Sequence, residues 1–219
     1  MITSVIFDMD GLLFNTEVIY FECYKKAAEE KGAEFSEELF ESCVGISQTD
    51  AARLIRHHFG PQFDVSNLHA RTYAHFETYL SEGGKIEFRP GAKEAVEFFH
   101  RRGLKIALAS SNITRWAEHF LTVGGIKKYF SAITTSNDVS NPKPDPEVYL
   151  VSAQKLGADV SQCLVFEDSV AGATAGISAG MRTCVVPQIK QPDSFVRNHA
   201  FKIYKSLQDI YPDMDELLA

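Results

Sequence analysis

After Pro90-Gly91 the sequence alternates between helical stretches and short β-rich runs. Few folds accommodate that alternation other than a parallel sheet covered by helices on both faces. Helices are expected over 92–102, 114–123, 146–156 and 171–179, and strands over 105–109, 132–134, 163–166 and 183–186. One more β-rich run, Ser4-Val5-Ile6-Phe7, stands near the start and is ended by Asp8 and Gly11. It reads as a buried strand followed by a turn, and belongs in the same sheet.

Between these two parts lies a stretch with no strand pattern. Helical periodicity covers 18–31, closed by Gly32, then 37–43, then 49–59, closed by Gly60-Pro61, and 66–80, closed by Gly83-Gly84. The fold class is therefore α/β: a doubly wound parallel sheet with an all-helical domain inserted after the first strand. We place the core at 1–14 and 86–219 and the insertion at 15–85.

Charge supports the division. The chain has 29 acidic and 22 basic residues, net −7, and 12 of the acidic against 7 of the basic fall in 15–85. An acidic protein without a basic patch is expected to repel nucleic acid and anionic lipid. Cys23, Cys43, Cys163 and Cys184 are scattered, with no C-x-x-C pair, so reduced core cysteines are expected rather than a disulfide framework or a zinc site. No apolar stretch approaches the roughly 20 residues of a membrane span. The first eight residues leave no room for a signal peptide. A soluble, cytoplasmic monomer is the expectation.

Ligands of open parallel sheets bind outside the carboxyl ends of the strands, so the residues after each strand carry the functional reading. Asp8-Met9-Asp10-Gly11 follows the first strand, Ser110-Ser111-Asn112 the second and Glu167-Asp168-Ser169 the fourth, while Lys143 lies in Asn141-Pro142-Lys143-Pro144-Asp145 after the third. Clustered carboxylates repel one another unless a cation sits among them, and hard oxygen donors select Mg²⁺. Ser110 and Lys143 could neutralise a phosphoryl group beside that ion. Ser110-Ser111-Asn112 precedes the helix beginning near Thr114, where capping and phosphate binding are compatible roles. Phosphoryl chemistry follows, with a carboxylate as nucleophile and a second as proton donor and acceptor.

Asp8-x-Asp10-Gly11, Ser110, Lys143 and Glu167-Asp168, in this order on these strand ends, resemble the four motifs of the haloacid dehalogenase superfamily. Phe7-Asp8-Met9-Asp10-Gly11-Leu12, Pro142-Lys143-Pro144-Asp145-Pro146 and Glu167-Asp168-Ser169-Val170-Ala171-Gly172 resemble the branch that holds β-phosphoglucomutase and small sugar-phosphate phosphatases. The resemblance spans essentially the whole chain. It implies a Rossmann-like core and makes the insertion a mobile cap. Asp8 would be the nucleophile and Asp10 the acid and base. Mg²⁺ would be held by Asp8, the Asp10 carbonyl, Glu167 and Asp168, and Ser110 and Lys143 would contact the phosphoryl group. Asn15 stands where the family usually has Asp, which implies altered hydrogen bonding at the cap hinge.

Within that branch the mutases carry a His, an Arg and a Lys in the cap, and an ungapped comparison puts Tyr20, Gln48 and Thr72 at those places. Loss of all three groups favours hydrolysis of a small phosphorylated metabolite, a sugar phosphate in the first instance, over isomerisation. Tyr20 and Gln48 are the candidate substrate residues of the cap. A phosphosugar mutase is the alternative, and a phosphoacceptor signalling module a remote one. His57, His58, His69 and His75 lack ligand-pair spacing and are expected on a solvated surface. Gly172, Gly176 and Gly180 are expected to bring a helix close to the sheet or to end it. Tyr20, Phe21 and Tyr24 are expected to pack, and the run 213–216 to be a solvated helix end.

Overall fold

The protein is described by a computed structural model of all 219 residues except Gly45 and Ser47, together with the side chain of Gln48. Contacts divide it into two compact units, Met1–Phe14 with Phe88–Ala219, and Asn15–Glu87.

The first unit is built on one parallel sheet. Its strands are β1 (Ser4–Phe7), β2 (Lys105–Ala109), β3 (Ala132–Thr134), β4 (Cys163–Glu167), β5 (Arg182–Val185) and β6 (Lys202–Ile203), in the spatial order β3-β2-β1-β4-β5-β6. All neighbours are parallel. β1, the first strand in the chain, is thus central, and the order reverses between β1 and β4. The crevice beyond that pair is where a doubly wound sheet receives ligands. Phe7 is in register with Leu108 on one side and Phe166 on the other, so Asp8, Ala109 and Glu167 emerge side by side.

Every residue of β1 and β4 is buried, as continuous apolar runs in a parallel sheet require. Helices α5 (Ala92–Arg101), α6 (Thr114–Val123), α7 (Glu147–Leu156), α8 (Val170–Ser178), α9 (Ser194–His199) and α10 (Met214–Leu218) belong to this unit. On one face Phe7 stacks on Phe166 with centroids 5.4 Å apart, and Phe99 of α5 closes on both rings. On the other, Ile6, Ala107 and Val165 pack with Val148, Tyr149 and Ala153 of α7. Burying each of the larger of these, Ile6, Phe7, Phe99, Val148, Val165 and Phe166, contributes about 1.5–3 kcal/mol.

β6 and α9 lie outside the sequence expectation, because a two-residue edge strand and a six-residue helix carry no readable period. The run 213–216 also differs from expectation. Met214 is buried at the start of α10, and Asp213 and Glu216 both pair with Lys202, at 2.8 and 2.6 Å.

The second unit contains α1 (Glu17–Glu29), α2 (Glu37–Cys43), α3 (Gln48–Phe59) and α4 (Val65–Ser81), and no strand among the described residues. Ser36 accepts from the Leu39 amide and Asp64 from the Asn67 amide, which fixes the starts of α2 and α4. Its core is aromatic: Tyr20 stacks on Phe76 at 4.4 Å, Phe21 meets Phe40, and Tyr24 stacks on Phe35. His57 and His58 are exposed, as expected, but His69 and His75 are not. His69 is half-buried with its ring edge-on to Tyr24, and His75 approaches Glu30 at 2.8 Å alongside a two-pronged Arg71–Glu30 pair. The Asn15 amide donates to the Glu87 carbonyl, joining the entry and exit segments of this unit.

No disulfide joins the four cysteines, and Cys23, Cys163 and Cys184 are buried. Among the described residues no helix is long and apolar enough to cross a membrane.

Candidate active site

The carboxyl ends of β1 and β4 bring Asp8, Glu167 and Asp168 together. All three are buried, and one carboxylate oxygen from each lies within 4.8 Å of the others. Lys143, from the loop before α7, reaches the same place. Its Nζ donates to Asp8 Oδ1 at 2.6 Å, to Glu167 Oε1 at 2.6 Å and to the Ala109 carbonyl at 3.1 Å, which uses all three of its N–H groups.

Electrostatics at this point are dominated by burial. Desolvation raises the Asp8 carboxyl well above the usual range, with Glu167 and Asp10 adding to the shift and Lys143 opposing it. Glu167 is subject to the same desolvation, yet Lys143 and its hydrogen-bond donors outweigh it and hold the carboxyl below its ordinary value. Those donors are Lys143 and the Tyr149 hydroxyl on Oε1, and the Asp168 amide, the Ser169 amide and the Ser169 hydroxyl on Oε2. Burial works against the Lys143 charge, but Asp8 and Glu167 together raise its pKa.

The three carboxylates thus offer a cluster of hard oxygen donors, each in ligand range of the others. Such a donor set suits a hard divalent cation, so the residues present fit Mg²⁺.

Asp10 sits on the turn after β1, half-buried. Its Oδ2 is approached at 3.5 Å by both the Ser110 hydroxyl and the Asn112 amide nitrogen. Ser110 Oγ is buried and accepts from the Asn112 amide at 3.0 Å. Ser111 is exposed and lines, with Ser110, Ser136, Ser140 and Lys143, a cavity of about 150 Å³. The structure thus gathers Asp8, Asp10, Ser110, Asn112, Lys143, Glu167 and Asp168 at one sheet edge, with Ser111 at the rim.

The candidate residues of the insertion belong to the second unit. Tyr20 is occupied in ring stacking with Phe76, and Thr72 is buried with its hydroxyl donated to the Leu68 carbonyl. Gln48's side chain lies outside the described residues.

Two supports of the site escaped the sequence reading. Tyr149 reads as an apolar core position of α7, and nothing in its spacing signals Glu167. The spacing of the α8 glycines signals close approach but not its target: a Cβ on Gly172 would fall on the Glu167 carboxylate, and one on Gly176 would press on Thr183. Gly180 ends the helix at φ +75°.

Comparison with known proteins places this geometry. Residues 5–186 match the profile of haloacid dehalogenase-like hydrolases. A phosphorylated carbohydrates phosphatase of Thermotoga maritima is 34% identical over 178 residues, 81% of this chain and 82% of that protein. A probable pseudouridine-5'-phosphatase of Drosophila melanogaster is 29% identical over 97% of this chain and 93% of that one. The crystal structure of a β-phosphoglucomutase from Clostridium difficile superposes with a TM-score of 0.79 at 25% identity, covering 100% of this chain and 97% of that one. With a family model matched over most of its length and a relative 34% identical, the chain belongs to the haloacid dehalogenase-like hydrolases and is a phosphoric monoester hydrolase.

Proposed function

We propose that this protein is an Mg²⁺-dependent phosphatase of a small phosphorylated sugar, working through an aspartyl phosphate on Asp8. The observation that carries the reading is the Lys143 ammonium held between Asp8 and Glu167, with Asp168 in ligand range. In this reading Asp8, Asp168, Glu167 and the Asp10 carbonyl would hold the metal, which when bound offsets phosphoryl charge.

The protein's own groups do the rest. An Asp8 oxygen attacks phosphorus, the bond from phosphorus to the ester oxygen breaks, and Asp10 gives its proton to the departing alkoxide. Asp10, now ionised, takes a proton from water as that water attacks the same phosphorus. The bond to Asp8 breaks, releasing inorganic phosphate, a free Asp8 carboxylate and a protonated Asp10. Ser110, Ser111 and Asn112 offer neutral donors to the phosphoryl oxygens, and Lys143 offsets their charge. The inserted helical unit, residues 15–87, is assigned the role of cap.

Hydrolysis is preferred to isomerisation because Tyr20 and Thr72 supply no cation for a second phosphate. The test is phosphate release from a panel of sugar phosphates and other phosphorylated metabolites, with and without Mg²⁺. Metal-dependent release that vanishes in Asp8→Asn is expected. Absence of release across the panel defeats the reading, and conversion of a sugar 1-phosphate to its 6-phosphate faster than phosphate release replaces it with the mutase.

A further inference from the structure

Tyr149 is wholly buried in α7, yet it ends in a hydroxyl aimed at the active site. That hydroxyl donates to Glu167 Oε1 at 2.8 Å, the same oxygen that accepts from Lys143 at 2.6 Å. The Lys143 Nζ also stands over the Tyr149 ring, 5.1 Å from its centroid. Lys143 has no spare donor, so the direction in which it presents charge to Asp8 is set by where its acceptors are held. Oε2 of Glu167 is fixed by Asp168 and Ser169, whereas among the described residues Oε1 accepts from Lys143 and Tyr149 alone.

We propose that Tyr149 is a positioning residue, whose hydroxyl fixes Glu167 Oε1 and its ring the Lys143 ammonium, so that Lys143 meets Asp8 in the productive direction. The role rests on the phosphatase reading above. A tyrosine that merely filled the core would need no hydroxyl here, because the apolar side chains packed around it leave phenylalanine sufficient.

Tyr149→Phe keeps ring and volume and removes only the donor. We expect kcat to fall about 10-fold with KM unchanged, the size of effect that outer hydrogen-bond partners of a site produce. In a Glu167→Ala background the same substitution should add nothing, since the acceptor it acts through has gone. Ser152→Ala is the control: it deletes another buried hydroxyl of α7, bonded to the Val148 carbonyl, and should lower stability while leaving kcat alone.

A Tyr149→Phe enzyme with wild-type kcat, or losses that add with Glu167→Ala, overturns the positioning role while the phosphatase reading stands. A wild-type protein that releases no phosphate overturns both. Should Tyr149→Phe not fold, the shielded Tyr149 hydroxyl proton of the wild-type protein serves as the probe by NMR. Its resonance should shift on addition of Mg²⁺, and one that does not move overturns the proposal.

Discussion

Gly172 lies against the Glu167 carboxylate so closely that a Cβ at position 172 would occupy the carboxylate's own space. The first turn of α8 and the end of β4 are thereby locked together, with the Ser169 hydroxyl accepting from the Gly172 amide and donating to Glu167. A helical glycine exchanged for alanine ordinarily gains about 0.5–1 kcal/mol. Here Gly172→Ala must push Glu167 or the helix aside, so we expect the opposite sign: a loss of about 1–3 kcal/mol, as for overpacked cores. Urea unfolding measures it, and phosphate release should fall in parallel because Lys143 loses its anchor.

Lys143→Met removes the ammonium that pairs with the buried carboxylates Asp8 and Glu167. Breaking a buried pair on one side costs about 3–5 kcal/mol. Thermal unfolding should report that loss in metal-free buffer, and Mg²⁺ should restore part of it, more than it stabilises the wild type. Equal responses of the two proteins to Mg²⁺ contradict the shared site.

Asp168→Asn tests the metal directly. Chelator should abolish phosphate release by the wild type and added Mg²⁺ should return it. In the variant the Mg²⁺ concentration for half-activation should rise at least by the about 10- to 100-fold that loss of an outer partner alone produces. An unchanged midpoint excludes Asp168 as a ligand.

Acid should weaken the helical unit through Glu30. Its hydrogen bond with Arg71, joined by that with His75, lowers the carboxyl from 4.5 to about 2 in the folded chain. A depressed folded value means that the stabilisation is fully present above the unfolded value of 4.5 and is lost as pH falls toward about 2. The stability difference between wild type and Glu30→Gln should therefore be constant near neutrality and shrink below 4.5. Chemical denaturation at a series of pH values checks it. The difference should be small throughout, because both partners are solvent-exposed.

Thiol chemistry should distinguish the cysteines. Burial pushes Cys23 and Cys163 up to about 11 and Cys184 up to about 12, so thiolate is scarce in all three. Only Cys43 is half-buried. A thiol reagent at pH near 8 should label one cysteine of the folded protein rapidly and all four after denaturation, and Cys43→Ser should remove the fast phase.

What could be read from the chain alone was whatever depends on local period and turn chemistry. Ser4–Phe7 shows as a buried strand because four apolar or small residues end in Asp and Gly, and 92–186 shows as alternating helix and strand for the same kind of reason. The strand-end residues Asp8, Asp10, Ser110, Glu167 and Asp168 are legible because each stands where an apolar run stops, and Lys143 because prolines flank it in the loop after the third strand. Tertiary structure decided the remainder. The order β3-β2-β1-β4-β5-β6 places β1 beside β4 and lets residues far apart in sequence share one ammonium. Strand pairing and side-chain burial are long-range, and no local pattern encodes them. Tyr149 looks like any apolar position of α7 until β4 packs beside it and brings Glu167 within 2.8 Å of its hydroxyl. His69 and His75 depart from the expected solvated surface for the same reason. Their spacing says nothing of Tyr24 and Glu30, which only the folding of α1 against α4 brings to them.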